Sequence, residues 1–298
     1  MAKAALLAGC WTALVTPFTA DGAIDEAGYR SLVDWQIAEG IHGLVPCGST
    51  GEAATMSLAE RVRVATICAE QAAGRVPVMA GAGGNDTAVA IATSHAMAAT
   101  GATHLLHVSP AYSKPPQRGI LAHFRAIADA SPLPVIVYNV PGRTASNIEA
   151  ETTLALAEHP NIVAVKEASG NLAQMSEIIR HRPAHFSVIC GDDPLTIGLV
   201  AAGGQGIISV VSNAAPKPTA ELTRHALAGD HEKARALHLA LTPLFAAAFV
   251  ESNPIPIKAS LAMMGRIQNV LRLPLVPMDP KHEPVLRAAL VAAGALPA

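Results

Sequence analysis

The chain has 298 residues, 51% of them hydrophobic and 15% charged, and a formal net charge of −2. That size and apolar content supply a large buried core, which excludes disorder, and fall within the range of a single α/β barrel domain. The near-neutral charge without a Lys/Arg cluster excludes a nucleic-acid footprint or a membrane-surface patch, and no stretch is long and apolar enough to span a bilayer, which leaves a small-molecule function.

The first ten residues, "MAKAALLAGC", mimic a lipoprotein cleavage site. The apolar run before Cys10 is shorter than a signal core requires, and "WTALVTPF" follows at once as a strand. Cys10, Cys47, Cys68 and Cys190 have neither CxxC spacing nor a paired framework, so reduced thiols in a cytoplasmic protein are expected. Eight aliphatic, β-branched segments then recur: "TALVTPF", "HGLVPCGS", "VPVMAGAG", "HLLHVSP", "VIVYNVP", "IVAVKEA", "FSVICGD" and "GIISVVSN". They end near Thr16, Gly48, Gly81, Ser109, Asn139, Glu167, Gly191 and Ser209, a βα spacing. Helix punctuation lies between them. Ser57 and Glu60 make a capping-box pattern, Gly74 closes that helix, and Asp193 before Pro194 opens another. Continuous apolar strands suit a parallel sheet covered by helices, so the predicted fold is a (β/α)8 TIM barrel. After about residue 215 the sequence becomes Ala/Leu-rich and helical. The expected organisation is a barrel over 1–224 and a helical segment over 225–298 packed on the barrel or on a neighbouring subunit.

A (β/α)8 barrel carries its active site at the C-terminal ends of the strands. The polar residues there are in "CGSTGE", "SPAYSKP", "YNVPGRT", "KEASGN" and "GDD". Strand alternation puts Lys166 on the face of Ala164 and Ile162, opposite Val165. If that face points inward, desolvation lowers the amine pKa and favours Schiff-base formation; a lysine paired with a carboxylate at the barrel mouth is the other reading. Tyr138, on the neighbouring strand end, is a candidate proton carrier or a buried phenol satisfied by a backbone carbonyl. Ser49 and Thr50 in "GSTG" offer hydroxyls and backbone N–H groups to a carboxylate, or simply cap a helix. Arg143 follows the Tyr138 strand, placed for bidentate carboxylate binding or for a surface salt bridge. The twelve histidines give no metal spacing: His104 and His107, three apart in a strand, point to opposite faces, so no metal is expected.

Together, "ALVTPF", "GSTGE", "YSKP" before a Gly119-containing helix start, "YNVPGRT", "KEASGN" and "NPIPIKAS" resemble the dihydrodipicolinate synthase / N-acetylneuraminate lyase family of class I pyruvate aldolases over nearly the whole chain. The resemblance implies an imine between Lys166 and pyruvate, with Tyr138 as the acid/base and Ser49 and Tyr112 completing a hydroxyl relay. The tyrosine matching Tyr112 comes from the adjacent subunit in that family, which makes a dimer the catalytic unit within a tetramer built as a dimer of dimers. Thr50 binds the pyruvate carboxylate, and Gly191 and Ile208 complete the substrate-binding set. Arg143 matches the arginine that holds the carboxylate of aspartate semialdehyde in the synthases and is usually lacking in neuraminate lyases. Ser49 departs from the synthase pattern, which usually has threonine there, and matches the lyases.

The implied reaction joins pyruvate to L-aspartate 4-semialdehyde without an organic cofactor. A sister aldolase acting on a sialic or 2-keto-3-deoxy sugar acid, or a silent barrel that only binds a keto acid, are the alternatives. Feedback-inhibited synthases bind lysine in a polar crevice between subunits. The matching positions here are Leu58, Arg61, Val89 and Ala111, with only Asn85 retaining a suitable amide, so insensitivity to lysine is expected.

Overall fold

The computed structural model describes residues 6–297. Met1–Ala5, which hold the lysine and much of the apolar run of the lipoprotein-like start, lie outside the described residues. Eight parallel strands are present: β1 (Gly9–Ala13), β2 (Gly43–Val45), β3 (Met79–Gly81), β4 (His104–Val108), β5 (Val135–Asn139), β6 (Ile162–Glu167), β7 (Ser187–Cys190) and β8 (Gly206–Ser209). They run in the order β2-β1-β8-β7-β6-β5-β4-β3. The barrel closes between β2 and β3 through the Leu44–Val78 bridge and the bond from Gly81 N to the Pro46 carbonyl, 2.9 Å. The TIM barrel expected from the apolar segments is therefore the observed fold.

Alternation along the strands fills two layers. Trp11, Ala13, Val45, Met79, Leu106, Ile136, Ala164, Ile189 and Ile208 plug the barrel interior, while Cys10, Leu105, Val137 and Val165 meet the helices outside. The helices bury matching stripes. In Gln117–Ala130 the buried Ile120, His123, Phe124, Ile127 and Ala128 recur at three- and four-residue spacing. Leu58–Ala72 begins with the expected capping box of Ser57 and Glu60 and ends at a left-handed Ala73 before Gly74.

Two strands end earlier than their apolar runs. In β1 the ladder stops after Ala13 because Leu14 N still bonds the Val45 carbonyl (3.1 Å) but Val15 N turns to the side chain of Asn213 (3.1 Å), and Pro17 has no N–H to offer. In β2, Pro46 and the left-handed Cys47 (φ 58°) end the strand after three residues. A third difference lies in β6. Val135 pairs with Ile162 but Ile136 pairs with Ala164, so Val163 is a bulge. Ile162 consequently joins the outer layer, not the face of Ala164 and Lys166 as simple alternation predicts.

Beyond β8, helix Pro216–Leu227 packs on β1 and β8, and helices His231–Ala247, Ile255–Met263 and Glu283–Ala292 follow. No helix among the described residues is long and apolar enough to cross a membrane. All four cysteines are buried and unbridged.

Candidate active site

β5 and β6 carry the two groups at the centre of the barrel mouth. Tyr138 and Lys166 are register partners, and behind them, on the outer face, the next pair is Asn139 and Glu167. Asn139 Nδ2 donates to both Glu167 carboxylate oxygens at 3.1 Å, and Glu167 also accepts from Ser169 N (2.8 Å) and Gln174 Nε2 (3.0 Å). This buried lock holds the register from which the inner pair projects.

Lys166 is 5% exposed, and its Nζ lies 4.3 Å from the Tyr138 ring centroid. It forms no ion pair among the described residues, so the ammonium–carboxylate pair that the sequence left open is not made. Burial lowers its pKa to about 8, against the attraction of Asp193 and with added repulsion from Arg143. Burial raises Tyr138 to about 12; Arg143 works against the rise and Asp192 adds to it. An amine close to neutrality beside a phenol that stays protonated is a nucleophile beside a proton donor.

Gly191, at the end of β7, is where the lysine stem needs room: a Cβ there would lie 2.7 Å from Ala168 Cβ and 2.9 Å from Lys166 Cε. Two residues on, Asp193 is a fully buried carboxylate. Ser209 Oγ donates to it, as do the backbone N–H groups of Val210 (2.9 Å) and Val211 (3.3 Å). The sequence assigned Asp193 to opening a helix. A helical run does begin there, with Asp193–Leu195 as a 3-10 turn that holds Pro194 and leads directly into helix Thr196–Ala201, and the carboxylate in addition ties the end of β7 to the end of β8.

The "GSTGE" segment forms a tight turn after β2. Gly51 N bonds the Gly48 carbonyl (3.1 Å) and Glu52 N bonds the Ser49 carbonyl (3.1 Å). Thr50 is buried and its Oγ1 accepts from Asn253 Nδ2 at 2.9 Å, whereas Ser49 is exposed. Arg143 lies on the one-turn helix Pro141–Thr144, and its Nη2 donates to the backbone carbonyl of Asn253 at 3.0 Å. Ile208 is fully buried in the barrel interior, paired with Trp11.

Lys166 thus lies against both Tyr138 and Gly191, and Thr50 and Arg143 are joined through Asn253. Tyr112 is not brought to them. Its backbone is left-handed (φ 70°), its N–H bonds the Thr144 carbonyl (3.3 Å), and the residue is 94% exposed. The roles of Asn253, Asp193 and the buried Glu52–Lys258 pair were not read from the sequence, although "NPIPIK", "GDD" and "GSTGE" contain them.

Fold and site define a (β/α)8-barrel enzyme with an amine–phenol pair at the strand ends. The chain belongs to the Dihydrodipicolinate synthetase family, whose sequence model matches residues 6–293. It is 50% identical over 291 residues to the 4-hydroxy-tetrahydrodipicolinate synthase of Koribacter versatilis, covering 97% of each chain. Among solved structures it resembles the dihydrodipicolinate synthase of Thermotoga maritima (TM-score 0.96, 40% identity, 98% of this chain and 100% of that one). It also resembles the enzyme of Cyanidioschyzon merolae with lysine bound (TM-score 0.94, 42% identity, 97% of this chain and 99% of that one).

Proposed function

We propose that this chain is a Schiff-base pyruvate aldolase that condenses pyruvate with L-aspartate 4-semialdehyde to 4-hydroxy-tetrahydrodipicolinate, the entry to lysine and diaminopimelate biosynthesis. The observation that carries the reading is the buried Lys166 amine, with a pKa of about 8, facing the Tyr138 phenol. The names of the relatives support the choice of reaction.

The neutral Lys166 amine attacks the pyruvate ketone, and Tyr138 passes protons as the carbinolamine loses water to give the protonated imine. That imine is the electron sink for loss of a methyl proton, so no organic cofactor is required. The resulting enamine attacks the aldehyde carbon, and cyclisation and release return the free lysine. Thr50 holds the pyruvate carboxylate, Arg143 the carboxylate of the aldehyde substrate, and Gly191 and Ile208 line the site. Ser49 and the partner's copy of Tyr112 complete the proton relay. The exposed Tyr112 ring supports this sharing, since a side chain that leaves its own barrel is available to another. The assembly in this reading is a tetramer built as a dimer of dimers, in the cytoplasm, with residues 1–224 as the barrel and 225–298 as its helical extension.

Borohydride reduction in the presence of pyruvate tests the proposal and should leave one adduct per chain, on Lys166. In parallel, the chain should turn over pyruvate with aspartate semialdehyde and cleave neither N-acetylneuraminate nor keto-deoxy-gluconate. An unmodified Lys166 peptide would sink the imine and favour a silent keto-acid-binding barrel. Cleavage of a sugar acid would favour a sister aldolase.

A further inference from the structure

Glu52 stands at a backbone position that suits glycine, with φ 55°, yet its carboxylate is fully buried. Its Oε1 accepts from Lys258 Nζ at 2.6 Å and its Oε2 from Arg272 N at 3.1 Å. Lys258, also fully buried, donates a second bond to the Thr16 carbonyl at 2.9 Å. Thr16 Oγ1 in turn donates to the Gly51 carbonyl at 2.8 Å. The turn that presents Ser49 and Thr50 is therefore clasped from behind by helix Ile255–Met263, more than two hundred residues along the chain, and from the side by the segment after β1. A glycine at position 52 would take the same backbone shape without strain, so what the glutamate adds there is its buried carboxylate.

We infer that Glu52 and Lys258 are positioning residues: their buried pair fixes the aim of Thr50, and with it the affinity for pyruvate, whereas Arg143 on the aldehyde side meets the clasp only through the backbone carbonyl of Asn253. The inference rests on the pyruvate reading above. Within the clasp, Glu52 N closes the turn on the Ser49 carbonyl and Asn253 Nδ2 holds the Thr50 hydroxyl oxygen, so a shift of Glu52 displaces both hydroxyls together. A buried ion pair contributes little net stability against an apolar replacement of similar volume, and fixing a geometry is the better-attested use of one.

The test uses the full-length Glu52→Gln and Lys258→Met variants and their combination, with KM for each substrate, melting temperature and reduced adduct on Lys166 as readouts. Each single variant should raise the pyruvate KM at least tenfold, leave the aldehyde KM within twofold, and give the full adduct at saturating pyruvate. The double variant, free of a lone buried charge, should recover the melting temperature but not the pyruvate KM. If the pair variants do not fold, Asn253→Ala, which cuts the other tie and keeps the pair, should also raise the pyruvate KM. Recovery of pyruvate KM in the double variant, an equal rise for both substrates, or an unchanged pyruvate KM in Asn253→Ala would overturn the inference alone. A wild-type chain that forms no adduct would overturn the underlying reading as well.

Discussion

Tyr138 sits directly across the β5–β6 ladder from Lys166, with the amine 4.3 Å from the centre of the phenol ring. The ring covers the amine on one side and the barrel interior covers it on another, so the amine loses more hydration than Asp193 restores in attraction.

Imine formation should therefore rise with pH and reach its half-maximum near pH 8, the pKa of Lys166. The unfolded chain holds this proton up to about 10.5, so the folded state binds fewer protons between about 8 and 10.5 and gains stability with rising pH across that window. Below about 8 the deficit is constant, at roughly 3 kcal/mol. Lys166→Met should remove it, raising the melting temperature at pH 7 and flattening its rise above pH 8. Adduct yield against pH and melting curves from pH 6 to 10 measure both; a half-maximum near 10.5 would contradict the buried-amine account.

Gly191→Ala places a methyl group 2.9 Å from the position of Lys166 Cε. The lysine stem must swing aside, and a misplacement of even an ångström in the reacting group costs about a hundredfold. Adduct formation at fixed pyruvate should fall by at least tenfold while the fold, read by circular dichroism, stays intact. An unchanged rate would show that the stem has another route.

Arg143→Ala should spare the imine and cost about a hundredfold in kcat/KM for aspartate semialdehyde, roughly 3 kcal/mol for a lost charge-assisted contact. Single-turnover trapping of pyruvate beside steady-state assays separates the two steps. Equal losses in both would move Arg143 to the pyruvate side.

Tyr112→Phe and Lys166→Ala chains, each inactive alone, should recover activity when mixed, because one composite site in the mixed dimer regains both groups. Verified heterodimers without activity would place Tyr112 outside the relay.

Millimolar L-lysine should neither inhibit nor bind. Among the positions that match the lysine crevice, Val89 is 58% exposed and carries no acceptor. Arg61 brings a cation whose Nη2 bonds the Gly81 carbonyl, and Asn85 Oδ1 already accepts from Ala111 N at 2.8 Å. None of Leu58, Arg61, Val89 and Ala111 carries a carboxylate for an ammonium group, and the one beside them, Asp86, caps its own helix by accepting from Val89 N at 2.9 Å. Saturable inhibition accompanied by heat in a calorimeter would refute this.

The strands were legible because their apolar runs are long and spaced at βα intervals, and Lys166 and Tyr138 were legible because each ends such a run. What escaped is what local pattern does not encode. Asn253 and Lys258 meet Thr50 and Glu52 across 203 and 206 residues, and only the closed barrel brings those ends together. The early end of β1 depends on Asn213 capturing Val15 N, a bond across 198 residues.

The bulge at Val163 makes the location of the amine a question of parity. Ile162 faces the helices, and without an extra residue every second position after it would face them too, Lys166 included. One unpaired residue turns an even count into an odd one and rotates the lysine from the packing layer into the barrel mouth. In this strand a change of length by a single residue thus carries more chemical consequence than most changes of side chain, because it decides which of two solvents, protein interior or substrate, the nitrogen meets.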